Sequence, residues 1–107
     1  MDGEKVAKYD KVLSKCPEIE RKGKSLPYTS VNGHMFSQLN KEGQLGIRFS
    51  GERKNELLEK LDTEPFFSYG KEMKGYIRIP EKLWEDMEVL AALLQESYEY
   101  ARTLESN

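Results

Sequence analysis

PFFSYGKEMKGYIRIP, residues 65–80, is the stretch on which the fold turns. Apolar and aromatic residues crowd its two ends. The middle, from Gly70 to Gly75, is polar, bounded by glycines and turn-like. The pattern predicts a β-hairpin that puts Phe66, Phe67, Tyr76, Ile77 and Ile79 into one core, with Met73 close to it. Prolines fence the stretch on both sides, and the long apolar stripe that follows Pro80 needs a sheet of this kind to cover.

That stripe runs from Leu83 to Leu104. Leu83, Met87, Leu90, Leu94, Tyr98, Ala101 and Leu104 recur at helical spacing, and Trp84, Ala91 and Leu93 widen the face. Glu85, Asp86, Glu88, Glu96 and Glu99 lie on the other side, so the segment reads as one long amphipathic helix. Upstream of the hairpin, Ser50 is placed to cap a short helix over residues 51–61, with Glu52 in its first turn and Leu57, Leu58 and Leu61 on its apolar side. Asp62-Thr63-Glu64-Pro65 ends it.

Residues 26–49 read as three strands. The first covers about 26–31. Asn32-Gly33 is a strong two-residue hairpin signal because both residue types tolerate positive φ. His34 to Leu39 forms the second strand, Asn40-Lys41-Glu42-Gly43 the next turn, and residues 45–49 the third strand. There Leu45, Ile47 and Phe49 face one way, and Gly46 and Arg48 the other. This period of two predicts a sheet with one covered face and one wetter face. At the N-terminus, Val6, Tyr9, Val12 and Leu13 mark a short amphipathic helix over residues 4–15, with Lys8, Lys11 and Lys15 away from most of the stripe. Pro17 stops it, and residues 19–23 read as a polar connector. The element order is helix, three strands, helix, two strands, helix. It predicts a two-layer α+β domain with a mainly antiparallel five-stranded sheet.

Composition narrows the function classes. A chain of 107 residues is the size of one domain with a single core. Its net charge of −2 supplies no overall field toward nucleic acid or an anionic membrane. The one cysteine, Cys16, excludes an internal disulfide and fits a reducing cytosol. No apolar run approaches the roughly 20 residues of a membrane span, and MDGEKVAKYD carries no signal-peptide core. A cytoplasmic location is the expectation.

The residues that carry chemistry read mostly as structural. His34, the single histidine, follows a hairpin turn with no Cys/His cluster around it, which favours a solvated or edge position over a general base or metal ligand. Cys16 sits between Lys15 and Pro17, where a small buried thiol is expected rather than a nucleophile. Glu81, Glu85, Asp86 and Glu88 are the carboxylates that a helix start attracts by its dipole. The glycines at 43, 46, 51, 70 and 75 match no phosphate-binding loop. No catalytic residue, metal site or cofactor is expected. Two basic groups remain: Lys8, Lys11, Lys15, Arg21, Lys22 and Lys24 near the N-terminus, and Lys71, Lys74 and Arg78 on the hairpin, with Tyr69 and Tyr76 interleaved. Acidic residues interrupt both, so a solvated surface is favoured over a nucleic-acid face. Tyr98 lies on the helix stripe and is expected in the core. Tyr100 lies off it and is a candidate for a partner surface.

An ordered set of motifs resembles the TfoX/Sxy N-terminal domain family. They are Val31-Asn32-Gly33-His34-Met35-Phe36, then Leu45-Gly46-Ile47-Arg48, then Pro65-Phe66 with Gly70, Met73 and Tyr76, and finally Tyr98-Glu99-Tyr100-Ala101. Each is weak alone, but together they span nearly the whole chain in the family's order. The resemblance implies a two-layer fold like that of secretion chaperones. It also implies kinship with regulators of natural competence, whose best-known members carry a second, C-terminal domain. The sequence ends at Asn107, so a single domain over residues 1–107 without that C-terminal domain is expected. Lys24-Ser25-Leu26-Pro27-Tyr28 stands where the family has an FGG segment. The family supplies no catalytic residues.

The functional expectation is a non-enzymatic interaction or regulatory module, meeting a protein partner or a second copy of itself through Tyr69, Lys71, Lys74, Arg78 or Tyr100. One alternative is a nucleic-acid-associated module using the Lys/Arg groups. Another is a small-molecule binder or enzyme with a site near His34 and Arg48.

Overall fold

In the computed structural model the described residues are 3–23 and 26–105. Helix α1 covers Gly3–Leu13, followed by strands β1 (Arg21–Lys22), β2 (Tyr28–Val31), β3 (His34–Leu39) and β4 (Leu45–Arg48). Helix α2 covers Gly51–Lys60, strands β5 and β6 cover Pro65–Ser68 and Lys71–Arg78, a 3-10 turn covers Glu81–Glu85, and helix α3 covers Met87–Ala101. Among these residues the strands form one antiparallel sheet in the order β1-β2-β3-β4-β6-β5. The α+β reading and the order of the main elements hold.

The sixth strand is β1. It lies within the segment expected to be a polar connector, where Arg21 pairs with Thr29 and Lys22 with Tyr28. Two residues are too few to show an alternating pattern. Tertiary contact makes them a strand: Arg21 forks onto Asp10 of α1, with its Nε and Nη2 at 2.8 and 3.2 Å from the two carboxylate oxygens.

The helices α1 and α3 cover one face of the sheet. Tyr9, Val12 and Leu13 of α1 and Leu90, Leu93, Leu94 and Ala101 of α3 join Ile47, Ile77 and Leu57 in a single buried cluster. A bulge enriches that face. Thr29 pairs with Ser37 but Ser30 pairs with Met35, which leaves Phe36 as the extra residue on β3. Phe36 is fully buried and meets Tyr98 of α3 edge-on, with ring centroids 5.9 Å apart. Ser97 of α3 serves the backbone there. Its Oγ donates to the Arg48 carbonyl at 2.5 Å, with the Phe36 carbonyl at 3.3 Å as the minor branch of the same proton. Tyr9, Thr29 and Ser37 form a buried hydroxyl chain that ties α1 to the sheet.

The long helix expected over residues 83–104 is divided. Leu83 and Trp84 are buried on the 3-10 turn, and Asp86 then restarts the chain as the N-cap of α3, its carboxylate accepting from the Val89 amide. Apolar spacing survives across the break, which is why periodicity alone does not reveal it.

The hairpin of residues 65–80 also differs from expectation. Its turn is Tyr69-Gly70, with φ of 54° and 75°, and β6 resumes at Lys71, so most of the polar middle is strand. The register then slips between the Pro65–Ile77 and Phe67–Glu72 pairs, and Gly75 in this irregular part of β6 adopts φ of 88°. The apolar residues do not share one core. Ile77 and Ile79 join the helix-side cluster. Phe66 and Tyr76 pack together on the opposite face, their rings 6.1 Å apart, and Phe66 covers Gly46. Phe67 is exposed and Met73 only half-buried.

Candidate functional site

Sequence-derived candidates fall into three places. The first is the tip of the β5–β6 hairpin. Phe67 and Tyr69 are 48% and 66% exposed there, and Lys71 beside them is exposed as well. Among the described residues only Val89 is another large apolar side chain exposed to this degree. The tip is held by Asn40, a buried side chain in the β3–β4 turn. Its Nδ2 donates to the Phe67 carbonyl at 2.9 Å and to Gln44 Oε1 at 3.0 Å, while its Oδ1 accepts from the amides of Glu42 and Gln44. The side chain of Asn40 is fully used, three of its hydrogen bonds closing the turn and one tying β5 to it. Arg78 belongs to the base of the hairpin and not to its tip, and there it meets the Glu64 carboxylate at 3.0 Å.

The second place is a cleft of about 640 Å³ at the end of β4. Arg48, Phe49, Gly51, Lys54, Asn55, Lys74, Gly75 and Tyr100 line it. The Arg48 guanidinium lies 5.9 Å from the centre of the Tyr100 ring. Gly75 beside the Arg48 stem takes φ of 88°, a conformation that favours glycine, and a Cβ there would make only ordinary contact, 3.5 Å from Arg48 Cγ. The folding of the chain thus brings Arg48, Lys74 and Tyr100 together, and separates them from Lys71, Tyr69 and Arg78. Lys54 and Asn55 are the residues that sequence reading did not single out. They lie on a polar helix with no local motif, and only the packing of α2 beside β6 makes them neighbours of Lys74.

The third place is the turn before β3, where Asn32 and Gly33 take φ of 54° and 79°, as the Asn-Gly signal predicts. His34 contacts the Glu105 carbonyl through Nε2, and Asn32 Nδ2 donates to the Arg102 carbonyl at 3.0 Å. Both side chains secure the C-terminal end of α3. His34 is not among the residues lining the cleft that holds Arg48.

The other chemistry-bearing side chains have structural employment. Cys16 is buried, 3.5 Å from the Ala91 carbonyl, and burial pushes its thiol pKa up, which opposes nucleophilic use. Glu81 pairs with Lys5, Glu88 with Lys15, and Asp86 caps α3. Among the described residues no group of three or more His, Cys, Asp and Glu side chains is arranged to hold a metal ion. In the N-terminal basic group Lys8 pairs with Glu4 and Arg21 with Asp10, while Lys22 donates to Ser30. Lys24 lies outside the described residues. No helix among the described residues is long and apolar enough to cross a membrane.

Comparison with known proteins gives one finding. The family model for the TfoX N-terminal domain matches residues 14–101. No curated protein sequence matches the chain.

Proposed function

This chain belongs to the TfoX N-terminal domain family, and on that premise we propose that it is a non-enzymatic module that acts by protein contact, in regulation of the competence type, with the hairpin tip as its contact surface. The family suggests a competence-regulator-like module and is not known as an enzymatic domain. The observation that carries the reading is the exposure of Phe67 on β5 and of Tyr69 in the turn that follows it, at the end of a strand that Asn40 holds in place. Aromatic side chains on a fixed backbone are what protein interfaces use as anchors, because they bury much area and lose little rotamer freedom.

The test uses the purified chain as bait in extract of its own cells, beside the Phe67→Ser/Tyr69→Ser double variant. Both side chains are exposed, so the variant keeps its thermal midpoint. The proposal expects a partner, or a second copy of the chain, that the native protein holds and the variant loses. A native chain that stays monomeric and retains nothing contradicts it, as does a partner held equally by both.

The nucleic-acid reading has less support. Several of its cations are already matched by carboxylates on the same surface, including Lys8, Lys15, Arg21 and Arg78.

A further inference from the structure

The cleft at the end of β4 is a separate surface from the hairpin tip, and it gathers three cations, Arg48, Lys54 and Lys74, in one lining. Arg48 and Lys74 line it, and among the described residues neither makes an ion pair. Among the described arginines Arg48 alone has no carboxylate partner; Arg21, Arg53, Arg78 and Arg102 each have one. Arg48 is also half-buried, and its guanidinium stands over the Tyr100 ring. The third cation, Lys54, has one carboxylate, Glu72, at 3.7 Å, a loose contact. None of the eight lining residues is acidic.

We infer that this cleft binds a phosphorylated small molecule of about mononucleotide size. Two cations without an ion pair and a third held only loosely exceed what a single carboxylate needs and suit a phosphomonoester dianion, with Arg48 offering a planar fork and Lys74 a point charge. The volume of about 640 Å³ lies within the range of small-molecule sites. The Tyr100 ring, already against Arg48, gives the organic part of the ligand an aromatic wall, and Asn55 adds a neutral donor and acceptor at the rim. The floor is rigid: the Phe49 amide donates to the Gly75 carbonyl at 3.0 Å, so both lining backbones are fixed before a ligand arrives.

The experiment is a two-dimensional amide NMR titration of the full chain with adenosine 5′-monophosphate, inorganic phosphate and adenosine as probes. The expected result is a saturable shift of the Gly51, Asn55 and Gly75 amides with the nucleotide, weaker binding of inorganic phosphate, and no shift with adenosine. Lys74→Gln changes an exposed side chain and keeps the spectrum of the folded protein, so it serves as the fold-neutral variant. Lys74→Gln weakens nucleotide binding several-fold, and Arg48→Gln weakens it about tenfold or more, the loss of a charge-assisted contact. Several results overturn the inference: no saturable shift, equal shifts with adenosine, inorganic phosphate binding as tightly as the nucleotide, or affinity unchanged in Lys74→Gln. A short single-stranded oligonucleotide that binds far more tightly than the nucleotide, with shifts spreading beyond the cleft, also overturns it and assigns the cations to nucleic acid.

Discussion

Phe66 lies against the backbone of Gly46: a Cβ built on Gly46 would fall 2.2 Å from the Phe66 ring. The contact joins β5 to β4 across the face of the sheet that the helices leave uncovered, and it needs a residue with no side chain. Phe66 is fully buried, so the ring has little room to retreat. Gly46→Ala should therefore cost about 2–3 kcal/mol, the scale of overpacking in a filled core. Urea unfolding measures the loss. Adding Phe66→Leu to Gly46→Ala should recover part of it, giving a non-additive double-mutant cycle. Strictly additive losses would show that the two residues do not meet.

Stability should fall at high pH because of buried phenols. Burial pushes Tyr9 up to about 12, and also raises Tyr76, the latter held back in part by the nearby Arg48 charge. Between pH 10 and 12 the unfolded chain loses the Tyr9 proton while the folded chain keeps it. The unfolded state then binds fewer protons, so stability declines as pH rises through this window and is unaffected by Tyr9 below it. In urea titrations, Tyr9→Phe should lose less stability than the native chain in that window, by about 1 kcal/mol per pH unit. Parallel profiles for the two proteins would show that Tyr9 is not held neutral by burial.

Ser97 is the third point of leverage. It serves two carbonyls, one of them left by the Phe36 bulge. Ser97→Ala removes this hydroxyl from both and should cost about 1 kcal/mol. Amide hydrogen exchange should rise most in β3 and β4, where those carbonyls lie. A loss confined to α3 would argue that the hydroxyl serves only its own helix.

Much of the fold is legible in the residues. Asn32-Gly33 marks its hairpin because few other pairs take two positive φ values, and Ser50 does cap α2, accepting from the Arg53 amide at 3.4 Å. The misreadings have physical causes. Tyr69 takes positive φ without any turn signal in its identity, so the hairpin turn is displaced from the expected polar middle. Phe66 and Phe67 look alike in composition, yet strand alternation buries one and exposes the other. Asp86 resembles any acidic residue of a helix face until its carboxylate is seen on the Val89 amide. The candidate site was legible in part. Tyr69 and Lys71 are together at the tip as neighbours in sequence, whereas the meeting of Arg48, Lys54, Lys74 and Tyr100 depends on four elements and has no local signature.

Whether the hairpin tip touches a partner in the cell decides the central claim. The direct measurement is photo-crosslinking in living cells with Tyr69→p-benzoylphenylalanine, beside the same substitution at Glu59, an exposed position on α2. The account predicts a discrete adduct from position 69, none from position 59, and a several-fold loss of the adduct when Phe67→Ser is added. An absence of adducts at position 69, or equal adducts at both positions, would contradict it.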